Sequence, residues 1–572
     1  MFVVKNLIEY DLVKKNKNKI YIENFILYLQ LKKKTNVEYF YSPLSKIKNS
    51  FEQDFFLNWF KSDYTKKSKN IDFLQCFSRT FLYETLQYLK LRIVLNSLLN
   101  KEKNKIFFFE DNSDFVKNLK LFISFNSKLK KKIKFLKIIN ENSKKINKRQ
   151  ILRGQILDLN YKFYFSLLPV IFQGLFLKSR IKNKILYFKD WSSIEYFLNS
   201  KQLLISNIKN IFRSFYIYKN PFDNNNYKNL IKQISNFRLN KNIIKKIFKK
   251  NKINYDDNIF NLLSFLIKRI INKENNLIKK YLNIYSNLIK FYNPKGIIIP
   301  DGSSFHNLLL FYLAKKNNTK VILCVDGYQC FSDYHGLVYD QYQKDTLFDY
   351  ILCPGESYKK LMLNHGIDKS KLITIFPPII NNININKNYF YKKFDAVILG
   401  YIPFSRNLNC NYESYILTEL EIIKALKSIG KKNIAIKIKG GNKIMLSMQK
   451  REIASYEKIF ELIFKEKFDV NLTFETGKLS ETIKYSELVV GSFSTAFFES
   501  LYQDKPYYIY EPVRNGLTKK QLNLNEICNK KFISRDYHHL KKNLLLKNFF
   551  SVEKKFFNGV NIEKLDNFFK KL

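Results

Sequence analysis

Apolar and polar positions follow two rhythms along this chain of 572 residues. From Asn293 onward, short apolar runs bounded by Gly, Pro or Asp alternate with longer segments whose apolar residues recur at helical spacing. The runs predict buried strands at Pro294–Pro300, Lys320–Val325, Tyr350–Cys353, Ile373–Phe376, Ala396–Leu399, Ile434–Ile438, Val470–Phe474, Leu488–Val490 and Tyr507–Tyr510. Helices are predicted between them at Phe305–Lys316, from Pro354 to His365, and at Tyr415–Ile429, Ala454–Lys465 and Thr495–Gln503. Strands that alternate with helices in this way form parallel, doubly wound sheets. The polar, Asn-rich stretch Pro377–Lys393 reads as a hinge, so the expected fold is α/β with two Rossmann-like lobes facing a cleft.

The first half is less regular. Apolar and Lys/Asn-rich segments alternate, with helical spacing at Leu262–Ile267 and Leu277–Tyr292 and strand candidates at Lys105–Phe109 and Ile185–Phe188. The Lys-dense stretches Lys128–Lys148 and Lys241–Lys252 read as exposed helix faces or loops. The expected organisation is a helix-rich region over 1–285 that completes or extends the first lobe. The α/β part of that acceptor-side lobe follows over 286–385, a donor-side lobe over 386–520 and a helical segment over 521–572.

Composition narrows the partners. The formal net charge is +51, and the 100 basic residues comprise 88 Lys and only 12 Arg. Lys, Asn, Ile, Phe and Tyr share A/T-rich codons, so part of this excess reflects nucleotide bias. A nucleic-acid reader draws more on Arg, which forks onto phosphate and guanine; nucleic acid is therefore not expected as a partner. The excess is concentrated in residues 1–290, where 58 Lys/Arg face 21 Asp/Glu, a balance of +37. Such a surface suits an anionic membrane or a polyanionic acceptor, or it is simply a solvated Lys face. The six cysteines are scattered without a C-x-x-C pair, as in a reducing cytoplasm. No uncharged apolar run approaches the roughly 20 residues of a membrane span. The longest, Phe163–Leu177, is broken by Pro169, Gln173 and Gly174 and reads as a buried helix, with an interfacial membrane contact as the alternative. The expected location is cytoplasmic, peripheral on the inner face of the membrane.

The densest candidate chemistry lies after Leu488–Val490. Gly491-Ser492-Phe493-Ser494 puts hydroxyls and free amides at a helix start, with Ser494 as N-cap, a place suited to a phosphate. Thr495 and Glu499 share a helical face, and the Glu499 carboxylate could accept two hydrogen bonds from the vicinal hydroxyls of a ribose. The same pattern also describes an ordinary βαβ unit without a ligand. No Asp-x-Asp occurs in the α/β region, nor any His-x-x-x-His or Walker-type phosphate loop, so no metal and no cofactor is expected.

Three segments carry a resemblance over Asn293–Pro512. Asp349–Gly355 with Leu363–Ile367 and Leu372–Pro377 gives a strand-Gly-helix-Gly-Ile-strand-Pro order. Ile434–Lys439 is a strand that ends in basic residues, and Leu488–Pro506 is the stretch just described. Together they resemble the GT-B glycosyltransferases, nearest to bacterial capsule and surface-carbohydrate enzymes. That superfamily also holds CDP-glycerol glycerophosphotransferases and sugar-nucleotide 2-epimerases. The resemblance implies transfer of a sugar, or a glycerol-phosphate-like group, from a nucleotide donor to a glycan or lipid-linked saccharide acceptor. It further implies that Gly400, Lys437, Lys439, Gly491, Ser492, Ser494, Thr495 and Glu499 hold the donor. The family's His-Gly after the second strand of the first lobe is replaced here by Asp326-Gly327, with His335-Gly336 following. The catalytic candidates are therefore Asp326, as base towards the acceptor hydroxyl, and His335. His306 is a further candidate, whereas Asp301 reads equally well as a helix cap. The alternatives are a non-hydrolysing sugar-nucleotide epimerase and a basic binding or scaffold protein with a degenerate site.

Overall fold

A computed structural model of the chain describes residues 1–34, 36–46, 85, 88–100, 105–111, 113–137, 185–188, 203–206, 239–250, 254–299, 305–324, 348–364, 366–376, 393–400, 412–438, 453–492, 496–512, 532–551, 553–560 and 562–572. The expected hinge (up to residue 392) and the apolar run Phe163–Leu177 lie outside these residues.

Among the described residues three sheets organise the molecule, and every pairing between their strands is parallel. The first contains β1 (Phe2–Val4), β2 (Ile20–Ile22), β3 (Val37–Tyr39), β4 (Ile106–Glu110) and β5 (Ile133–Lys137), in the order β3-β2-β1-β4-β5. The second contains β6 (Ile185–Phe188), β7 (Leu203–Ser206), β8 (Gly296–Ile299), β9 (Lys320–Cys324), β10 (Tyr350–Pro354) and β11 (Leu372–Ile375), in the order β11-β10-β9-β8-β6-β7. The third contains β12 (Phe394–Leu399), β13 (Asn433–Lys437), β14 (Asn471–Glu475), β15 (Ser486–Gly491), β16 (Tyr507–Tyr510) and β17 (Ile533–Ser534), in the order β14-β13-β12-β15-β16-β17. The second and third are the two Rossmann-like sheets that the alternating pattern predicts. The first sheet adds an α/β unit in the stretch read as helix-rich, and β6 and β7 extend the second sheet from that same stretch.

Side-chain alternation explains how the third sheet is covered. Ala396, Ile398, Ile434, Ile436, Leu488, Val490, Tyr508 and Tyr510 point to one face. There they meet the helices Tyr412–Lys427, Ile453–Phe464 and Tyr537–Leu545 through Leu420, Ile423, Tyr456, Phe460, Leu540 and Leu544. Val489, Tyr507 and Ile509 point the other way and pack with Ile483, Phe497 and Phe498. With both faces covered, the longer strands read as apolar runs, which is why β12 to β16 were visible in the sequence while β17 was not.

Abundant asparagine is put to use at helix starts. Asn6, Asn24 and Asn126 each accept a backbone N–H from the third residue on, at 2.9, 3.1 and 3.1 Å. The two helical segments expected near 262–292 form one helix, Asp257–Tyr292, which is 36 residues long. It is capped by Asp256, whose carboxylate accepts the Ile259 amide at 2.8 Å, and it ends where Asn293 turns left-handed at φ 42°.

The C-terminal part of the chain returns to the second sheet. Val560 bridges to Ile375 beside β11, and its amide donates to the Thr374 carbonyl at 3.1 Å. The helix Ile562–Lys571 then lays Leu565 and Phe569 against Ile298, Ile322 and Leu352. Leu565 and Phe569 are 0% and 1% exposed, and burying each contributes roughly 1.5–3 kcal/mol. Gly559 makes the approach feasible, since a Cβ there would lie 2.1 Å from the Ile375 carbonyl carbon.

Candidate functional site

Strand order determines where a parallel sheet opens. In the third sheet the chain runs outward from β12 through β13 to β14, then jumps back to β15 on the other side and continues to β16 and β17. The crossovers therefore part between β12 and β15, leaving a crevice outside their carboxyl ends. Glycine stands at the end of both, just after β12 and as the last residue of β15. Gly400 follows Leu399 and donates its amide to the Lys437 carbonyl at 2.9 Å, and Gly491 is the last residue of β15. The strands further out end in charged residues: Lys437 on β13, Glu475 on β14, Glu511 after β16 and Arg535 after β17.

Lys437 is 6% exposed. Register sets it beside Leu399 of β12 and Glu475 of β14. Its ammonium donates to the Ile438 carbonyl at 3.1 Å and, at the long limit of 3.5 Å, to the Glu475 carbonyl. Burial pulls its pKa down, and the negative charges of Glu475 and Glu499 oppose that shift. Glu499 lies in the helix Ala496–Tyr502 that follows β15, and it too is 6% exposed. Burial pushes its carboxyl up to about 7, with the Lys437 charge pulling the other way. Among the described residues no group donates a hydrogen bond to this carboxyl. A buried carboxyl and a buried ammonium that feel each other's charge, next to a switch point, can respectively accept hydrogen bonds from a polar ligand and face an anion.

Gly491 has a packing reason of its own. A Cβ at this position would lie 2.8 Å from Leu399 Cδ1 and 2.9 Å from its Cβ and Cγ, so the glycine lets β12 and β15 close on each other. Ser492 is half-buried, and its carbonyl accepts the Tyr507 hydroxyl at 2.6 Å, which ties the residue after β15 to β16.

Of the residues expected to hold a donor, Gly400, Lys437, Gly491, Ser492 and Glu499 thus gather at one end of one sheet. Lys439, Ser494 and Thr495 lie outside the described residues, as do Asp326 and His335, and Asp301 and His365. His306 lies in the helix Phe305–Lys316. Two further residues join the same edge unforeseen. Glu511, 5% exposed, and Arg535, whose pKa burial lowers against the Glu511 charge, stand one position beyond the paired ends Tyr510 and Ser534. Glu511 directly follows the buried run Tyr507–Tyr510, but Arg535 follows Ser534, and nothing in the sequence placed the two side by side. Among the described residues no cluster of His, Cys, Asp or Glu could hold a metal ion, and no helix is long and apolar enough to cross a membrane.

No protein-family model matches the chain, and no curated protein matches it by sequence. Solved structures that it resembles include the UDP-GlcNAc 2-epimerase of Methanocaldococcus jannaschii in complex with UDP-GlcNAc and UDP. That match has 12% identity and a TM-score of 0.37, and covers 68% of this chain and 99% of that one. The UDP-N-acetylglucosamine 2-epimerase from Rickettsia bellii gives 10% identity and a TM-score of 0.35 over 68% and 94% of the two chains. The lipopolysaccharide outer core galactosyltransferase WaaB in its apo form gives 11% and 0.30 over 68% and 100%. Likenesses this distant carry no activity across to this chain.

Proposed function

We propose that this chain is a GT-B-type glycosyltransferase. It would move a sugar, or a glycerol-phosphate-like group, from a nucleotide donor to a surface-glycan or lipid-linked saccharide acceptor at the inner face of the membrane. The observation that carries the reading is that Lys437 and Glu499, both buried, stand beside the β12/β15 switch point, Lys437 at the carboxyl end of β13 and Glu499 on the helix after β15. In this reading the Glu499 carboxylate accepts hydrogen bonds from the ribose hydroxyls of the donor. The Lys437 ammonium and the turn after Gly491 offset the charge that develops on the leaving nucleotide phosphate. The acceptor oxygen bonds to the transferred group as the bond to the donor phosphate breaks, and the acceptor proton passes to a base, for which Asp326 and His335 are the candidates.

A thermal-shift titration with UDP-, GDP-, CDP- and CMP-sugars tests this directly. One nucleotide class is expected to raise Tm, as a ligand that binds only the folded state must. Glu499→Ala should remove the rise while leaving the unliganded transition cooperative. No shift with any donor would sink the reading, and a shift retained in the variant would take Glu499 out of the ribose role. Product analysis with the stabilising donor separates transfer from epimerisation.

A further inference from the structure

Large apolar side chains scattered singly over a surface need no explanation. Here, three of the eight such exposed side chains among the described residues fall on one short helix, Leu7–Val13. Leu7 is 54% exposed, Ile8 61% and Leu12 60%, whereas Tyr10 and Val13 on the opposite side are buried against β1, β2 and β4. The helix runs straight into Lys14-Lys15-Asn16-Lys17-Asn18-Lys19, all exposed up to Lys19. Lys14 pairs with Asp11 at 2.9 Å and Lys19 with Glu38 at 3.0 Å. Among the described residues no carboxylate pairs with Lys15 or Lys17. The surface thus presents an apolar ridge with uncompensated ammonium groups at its edge.

We propose that this ridge docks on an anionic bilayer, with Leu7, Ile8 and Leu12 entering the acyl boundary and Lys15 and Lys17 meeting lipid phosphates. Charge decides between this occupant and a second copy of the chain. A two-fold pairing through the ridge would bring the same lysines of two molecules together, and like charges in apposition oppose it. An anionic lipid surface reverses that sign, and lysine stems can lie along the apolar zone while their heads remain at the phosphates. The insertion is shallow and reversible, because three side chains on a seven-residue helix are far short of a span.

Co-sedimentation of the full chain with phosphatidylcholine vesicles, with and without phosphatidylglycerol, at low and high salt, is the test. Binding is expected only with phosphatidylglycerol present and should weaken with salt. Leu7→Gln/Ile8→Gln/Leu12→Gln should lose on the order of tenfold in affinity with Tm unchanged, because these side chains are exposed already. Lys15→Glu/Lys17→Glu, which leaves the ridge intact, should lose a similar factor and most of the salt dependence. Binding by both variants equal to that of the unmodified chain overturns the proposal. So does a chain that binds no vesicles and is a dimer that the glutamine variant makes monomeric. Neither outcome touches the donor-site reading, because vesicle binding is measured without a nucleotide sugar.

Discussion

At Glu499, burial raises the carboxyl from the ordinary 4.5 to about 7, so the group titrates near neutral pH. Between those two values the folded chain holds a proton that the unfolded chain releases. The stability contributed by this group is therefore complete below about 4.5 and is lost as pH rises through about 7. The shift corresponds to on the order of 3 kcal/mol at most. Glu499→Gln, close in shape to the protonated acid, should flatten that dependence. Urea denaturation at pH 5 and pH 8 should show the unmodified chain losing stability relative to the variant, and parallel behaviour would mean that Glu499 is ionised at both. A ribose-binding role needs the carboxylate, so donor stabilisation of the unmodified chain should grow with pH over the same interval. The residues at this end were legible where a local rule named them: Glu499 by its spacing from Thr495, Lys437 by its place at a strand end. Glu511 and Arg535 were not, because β16–β17 pairing alone brings two residues distant in sequence to adjacent strand ends.

Among the elements, β12 and β15 are the pair whose fit depends on a missing side chain. Gly491→Ala would drive a methyl group into Leu399 and should cost about 1–3 kcal/mol, as overpacked cores do. Leu399→Ala made in the same chain should recover part of that loss, because it clears the atoms that the new methyl meets. A double-mutant cycle measured by chemical denaturation checks this; strictly additive effects would mean that the strain lies elsewhere. Most strands of the second and third sheets were legible because parallel strands covered on both faces form continuous apolar runs bounded by Gly and Pro; β7 and the two-residue β17 were not. β1, β2 and β3 were not. Each is three residues long, and in a chain rich in Ile, Phe and Tyr a triplet such as Phe-Val-Val stands out from nothing. β5 was hidden differently, since Ile-Lys-Phe-Leu-Lys sits within a Lys-dense stretch that reads as a solvated face.

For the whole molecule, the decisive contact is the return of residues 559–571 to the second sheet. Gly559→Ala should displace Val560 from β11 and loosen the terminal helix, since the obstruction is backbone and cannot rotate aside. We expect a loss of about 3 kcal/mol or more, together with faster proteolytic cleavage ahead of Ile562. Cleavage at the unaltered rate would show that the helix is held by Leu565 and Phe569 alone.

That return also orders events during synthesis. β6 leaves the ribosome hundreds of residues before Phe569, yet Ile185, Ile298, Ile322 and Leu352 share one cluster with Leu565 and Phe569. Until residues 562–571 have emerged, Ile298, Ile322 and Leu352 lack the cover of Leu565 and Phe569, and that part of the sheet keeps apolar surface exposed. Nascent chains stalled within the third sheet should accordingly be strong clients of holdase chaperones, and released chains that include residues 562–571 should not.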